Sequence, residues 1–153
     1  MGNLFNLEDK QDILDRVSKI EVETLSLWGK MNAHEMLCHV ADPIRDILGL
    51  REVKSSVPGV IKPFMKAILL SKSPFGRNMP TIKVYKQGSK GLGTRPTNFQ
   101  YDKAAFKDLI NRFSSTGESY SFREHGGAGR LKREEHGYLL WKHTDHHLRQ
   151  FGV

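Results

Sequence analysis

Between residues 71 and 98 the chain carries Pro74, Gly76, Pro80, Gly88, Gly91, Gly93 and Pro96 and shows no sustained hydrophobic period. Glycine and proline at that density interrupt helices and sheet ladders alike, so regular structure has to come from the two flanks. The stretch reads as a long loop, with at most a short extended piece at residues 81–85. A loop of this length inside a small domain commonly covers a site.

Both flanks are helical in period. Leu7, Ile13, Leu14, Val17 and Ile20 fall near a 3.6-residue repeat, and Asn6 followed by Glu8 and Asp9 supplies a cap and a negative first turn, which predicts a helix over residues 6–21. Gly29 beside Trp28 marks a connection, with the indole expected to plug the core. Asn32 caps a second helix through Met36, Leu37, His39, Val40, Ile44, Ile47 and Leu48, closed by Gly49. Pro43 cannot donate to the carbonyl of residue 39, so this helix either kinks or restarts with Asp42 as cap. Residues 60–70 are apolar on most sides and predict a third, deeply buried helix with Pro63 in its first turn. Tyr101 and Asp102 open another through Ala105, Phe106, Leu109, Ile110 and Phe113. The run Gly126, Gly127, Ala128, Gly129 is a second flexible break, and residues 131–151 contain the last helix. Five helical segments and no convincing strand pair predict a single all-α bundle domain spanning residues 1–153.

Composition sets the outer limits. The chain has 153 residues, 38% apolar and 27% charged, enough to bury a core. No apolar run approaches the ~20 residues of a membrane span, so no membrane partner is expected. The amino terminus has no secretory pattern, and Cys38, the only cysteine, allows no internal disulfide; a reducing cytoplasm fits best. Charge is uneven: residues 53–101 hold nine Lys or Arg and no Asp or Glu, which outweighs the net charge of +7. Such a one-signed stretch either is a solvated loop or attracts anions.

The histidines carry the chemistry. Of seven, four fall among the last eighteen residues: His136, His143, His146 and His147. Positions four apart on a helix share a face with Cβ atoms ~5–6 Å apart, so His143 and His147 can grip one metal ion. His146 makes a competing pair with His143 at three apart. A third ligand should come from another helix, and His39, on the apolar face beside Met36 and Val40, is the best donor. His34 lies about 140° round the helix from His39, so the run from His34 to His39 only mimics the metalloprotease motif, whose histidines are four apart. Asp42 is a weaker catalytic candidate: it is either a general base or orienting residue near the ion, or the cap before Pro43. Asp145 is expected to face away from the ion, and Cys38 to be a small buried hydrophobe.

The runs Trp28-Gly29-Lys30-Met31-Asn32-Ala33-His34-Glu35-Met36-Leu37-Cys38-His39 and Trp141-Lys142-His143-Thr144-Asp145-His146-His147-Leu148-Arg149-Gln150-Phe151 resemble the DinB-like superfamily. That resemblance implies an up-and-down four-helix bundle, here with a long loop and an extra short helix. It also implies a divalent metal held by His39, His143 and His147 with positions left open. Characterised relatives include S-transferases and isomerases that use low-molecular-weight thiols, and hydrolases. The expectation is therefore a metal-dependent transferase or hydrolase with Zn, Ni or Fe, a small anionic substrate and a thiol as co-substrate; the reading also allows for a homodimer. The alternative is a non-catalytic module whose basic middle third binds nucleic acid or another polyanion, weakened because only Phe75 and Tyr85 are aromatic among the loop's basic residues.

Overall fold

The computed structural model describes residues 2–52, 54–55 and 57–153. Each main helix begins where a side chain can take up orphan amide hydrogens. In α1 (Leu7–Ser18) the Asn6 side chain accepts from the amide of Asp9, and in α2 (Ala33–Ile47) Asn32 and Glu35 form a reciprocal capping box. A 3-10 turn, Gly59–Ile61, leads into the short α3 (Lys62–Leu69). Helix α4 (Phe99–Ser114) starts two residues before the expected Tyr101 because Asn98 accepts from the Tyr101 amide. In α5 (Arg133–Gln150) the Glu135 carboxylate reaches back to the amide of Lys132 at 2.7 Å.

The all-α bundle expected from the sequence is what the structure shows. Helix α1 packs against α4 and α5, and α2 packs against the same two, so the four long helices ring the core in the order α1, α4, α2, α5. Ile13 and Val17 of α1, Met36, Leu37 and Ile44 of α2, Phe106, Ile110 and Phe113 of α4, and Leu140 and Leu148 of α5 meet there with almost no exposure. Full burial of each such side chain is favourable by roughly 1.5–3 kcal/mol. No helix among the described residues is long and apolar enough to cross a membrane.

Several local expectations are corrected. Helix α2 continues through Pro43 to Ile47 without restarting, so Asp42 is no cap. Pro43 removes only one intrahelical amide bond, and the packing of α2 on two neighbours outweighs that loss. Helix α3 is not deeply buried: none of its residues is, Phe64 is 69% exposed and Val60 just before it 89%. Its apolar content reads as core material, but polar tethers hold it outside the bundle. Lys66 reaches Glu135 at 2.7 Å and the Arg130 carbonyl at 3.2 Å, and Lys62 reaches Glu124 at 3.3 Å.

At its far end Lys142 donates to the carbonyls of Leu69 and Ser71 at 3.1 and 2.7 Å. This buried ammonium pins the start of the 71–98 loop one residue from His143. The loop then crosses α5 without forming a helix or strand; residues 83–85 make a turn in place of the expected extended piece, with Val84 and Tyr85 buried beneath it. Trp28, the expected core plug, is only half-buried and stands edge-on to His146, with the Arg77 guanidinium 4.6 Å from its ring centre.

Candidate metal centre

Helices α2 and α5 pack face to face, and each turns histidines toward the other. One turn of α5 separates His143 from His147, so both project inward, and His39 comes from the facing side of α2. The three ring centres lie 4.7 to 4.8 Å apart. One nitrogen from each ring falls within 4.8 Å of the other two, and Nε2 of His39 lies 3.0 Å from Nε2 of His143.

The outward nitrogens of two of the rings, His39 and His147, are held by groups that fix the tautomer. Nδ1–H of His39 donates to the carbonyl of Tyr85 at 2.8 Å. A carbonyl only accepts, so a neutral His39 keeps its Nε2 lone pair for the cluster. His147 is set the same way through an amide. Gln150 donates from Nε2 to the Trp28 carbonyl at 2.6 Å, which leaves its Oε1 to accept from Nδ1–H of His147 at 2.8 Å. The partner that orients a metal-binding imidazole is usually of this kind, a carbonyl or carboxylate on the far nitrogen.

Electrostatics favours the ligating form. Burial lowers the pKa of all three rings, and the other imidazoles add repulsion for His143, which falls well below its ordinary value. For His147 burial and the neighbouring His39 push it down to about 3, against an opposing hydrogen bond from Gln150. The His39 ring is lowered by burial although the Tyr85 carbonyl opposes the change. All three are neutral near pH 7, and neutral imidazole is what a metal binds.

The donor set fits a borderline divalent cation. Two nitrogens each ~2.0–2.1 Å from a tetrahedral ion lie about 3.3 Å apart, close to the separation found between His39 and His143. Two Nε2 lone pairs facing each other repel unless a proton or a cation lies between them, and three imidazoles suit Zn, Ni or Fe. Phe75 of the loop stands 6.4 Å from the His143 ring and 5.8 Å from the His146 ring.

The other candidates lie apart from the three rings. His146, half-buried, stacks edge-on to His147 at 5.0 Å between Phe75 and Trp28. Asp145 points away, accepting from Arg16 at 2.9 Å and from Arg149. Asp42 is fully buried, and its oxygens accept from the Thr94 amide and hydroxyl and from Arg45, with Arg51 at 3.5 Å. No hydrogen bond joins it to the three rings among the described residues, so it ties the loop to α2. His34 and Cys38 occupy the opposite side of α2, with Asp102.

Two partners of the cluster, and one nearby histidine, escaped the sequence reading. Gln150 lies three residues past His147, on the same helical face, and that spacing is a usable signal. The Tyr85 carbonyl left none, since every residue has one. His125, held by the glycine run, was invisible because its setting is a loop conformation. No family model, curated protein or solved structure matches the chain.

Proposed function

We propose that this chain is a metal-dependent enzyme of the DinB-like kind, a thiol-dependent S-transferase or a hydrolase acting on a small anionic substrate. What carries the reading is one observation: imidazole nitrogens of His39, His143 and His147 converge while the far nitrogens of His39 and His147 are held by Tyr85 and Gln150. A divalent cation held by three such ligands keeps open positions and acidifies a water or thiol brought to it, giving an anionic nucleophile near neutral pH.

The chain's own residues supply the rest. His39, His143 and His147 hold the ion in their neutral forms, and Tyr85 and Gln150 fix two of the rings so that little reorganisation is needed on binding. Phe75 stands beside the His143 ring, and Trp28 stands beside His146, the neighbour of His147. Arg77 over Trp28 places a positive charge at that edge, suited to an anionic substrate.

Elemental analysis of protein purified without a histidine tag tests the reading, with wild type beside His143→Ala. Wild type is expected to carry stoichiometric Zn, Ni or Fe and the variant little; an equally metal-free pair discards the proposal. Metal-loaded protein is then assayed for thiol transfer and for hydrolysis of small anionic esters or amides.

A further inference from the structure

Next to the histidine cluster lies a separate polar cavity of about 210 Å3, lined by Asp46, Arg51, Lys62, Arg123, Glu124 and His125 among others. Tyr85 touches residues of both. Its carbonyl accepts from His39, its hydroxyl accepts from the Gly126 amide at 3.1 Å, and its ring centre stands 5.7 Å from that of His125.

The glycine run fixes His125 in an unusual way. The backbone of His125 pairs with that of Gly129 through two bonds of 2.9 Å, and the turn between them aims the amides of Gly127 and Ala128 at Nδ1, each at 3.1 Å. Gly129 holds a φ of +70°, which closes this turn at little cost for glycine. A ring nitrogen that accepts two N–H groups carries no proton of its own. The neutral ring therefore bears its hydrogen on Nε2. His125 is only 7% exposed, but its Nε2 is not among the fully enclosed polar atoms and has no hydrogen-bond partner among the described residues, so the N–H stays accessible. An accessible ring N–H on a residue that lines a cavity is open to water or to a ligand that can replace it.

Charge gives the sign of that ligand. Asp46 has Arg51 at 3.3 Å, and Glu124 has Lys62 at 3.3 Å and Arg130 at 3.4 Å, so each acid in the lining already has a cation. The Arg123 guanidinium has no acidic partner among the described residues. One fixed N–H and one guanidinium without an acid, on residues that line the same cavity, suit an acceptor-rich anion.

We infer that this cavity binds a small oxyanion, a phosphate or carboxylate group, through Nε2–H of His125 and the guanidinium of Arg123. The inference needs no metal, so its failure and that of the metal reading are separable.

The experiment uses full-length wild-type protein in chelator, with inorganic phosphate and acetate as probes and the histidine side-chain nitrogens followed by NMR. His125 is expected as the Nε2–H tautomer, with a resonance that shifts saturably at millimolar probe, while His136, buried elsewhere, does not move. Arg123→Gln, at an exposed position, is expected to keep the thermal unfolding curve and weaken binding about tenfold, as loss of a charged hydrogen bond does. His125→Leu is expected to abolish binding; where that variant does not fold, the tautomer and Arg123→Gln decide. An Nδ1–H tautomer, shifts that never saturate, or unchanged affinity in Arg123→Gln would each overturn the assignment.

Discussion

Helix α2 carries side chains of metal-ligating type on two of its faces, and the two faces are built differently. Toward α5, His39 meets His143 and His147; toward α4, His34 and Cys38 meet Asp102. Each trio brings its donor atoms within 4.8 Å. On the α4 side the donors satisfy one another. Asp102 accepts from His34 at 2.7 Å and from the Thr97 amide at 2.9 Å. Burial and the Asp102 charge push the Cys38 thiol up to about 12, so no thiolate is on offer. On the α5 side the Nδ1 partners of His39 and His147 lie outside the trio, and inside it only Nε2 of His39 and Nε2 of His143 come within hydrogen-bonding distance, at 3.0 Å. Proximity of ligand-type residues is common to both; what differs is where their second partners lie. A closed polar cluster stabilises a fold, whereas one whose rings are oriented from outside can exchange its inner contact for an ion.

The largest expected effect is on acid stability, and it separates the faces by pH. His147 and His125 are pushed down to about 3, and His136 to about 4, in each case first by burial. Unfolding returns these rings to an ordinary value of ~6.5, so below that pH the unfolded chain binds more protons and stability falls as pH falls. Each ring contributes a slope approaching ~1.4 kcal/mol per pH unit until its folded value is reached. Asp102 behaves otherwise. Burial alone would raise its carboxyl, but the bonds from Thr97 and His34 outweigh that and hold it below its ordinary value, so its contribution persists until the pH drops under ~3.9. Denaturant unfolding of metal-free protein should therefore show stability declining from about pH 6.5, well above the carboxylate range. A flat curve down to pH 4.5 would mean the rings are not buried as neutral groups.

Metal affinity comes next. Loss of a residue that merely orients a ligand typically costs 10–100-fold, so removing a ligand in His143→Ala is expected to cost more than about 100-fold. His34→Ala on the opposite face should leave the metal content at the wild-type level. Equal losses in the two variants, read by competition with a chromogenic chelator, would erase the distinction between the faces.

How far these features could be read from sequence follows the range of the interactions that make them. Helix α2 was legible because its Asn32 cap and its Met36, Val40, Ile44 stripe are local signals, and His143 with His147 because their spacing is helical. Helix α3 was misread as core because its place is set by Glu124 and Glu135, more than sixty residues away. The pairing of Asp102 with His34, across 68 residues, was equally hidden, and so was the role of Asp42, whose partner Thr94 lies in a loop without period. Neither the tautomer of His39 nor that of His125 leaves a trace in residue types, since backbone groups set both.

Asp102→Ala tests the closed face directly. It leaves His34 and the Thr97 amide without their acceptor, which at a buried site costs about 1–3 kcal/mol. Chemical denaturation should show that loss together with an unchanged metal content. Lowered metal affinity in this variant would mean that the two faces communicate through α2.

Cys38→Ala should have the smallest effect and bears on the same contrast. The thiol is 1% exposed, and its high pKa keeps it protonated at any physiological pH. Removing one sulfur from this position opens a space smaller than a Leu→Ala cavity, so the expected loss is about 1 kcal/mol or less. Metal content should not change, because a protonated thiol on the far face of α2 is no ligand to the histidine trio. In the wild type, alkylation by iodoacetamide should be negligible in the native state and complete only in denaturant. Rapid native-state alkylation would place a reactive thiolate on the α4 face and make its trio the more plausible chemical site, reversing the assignment of the two faces.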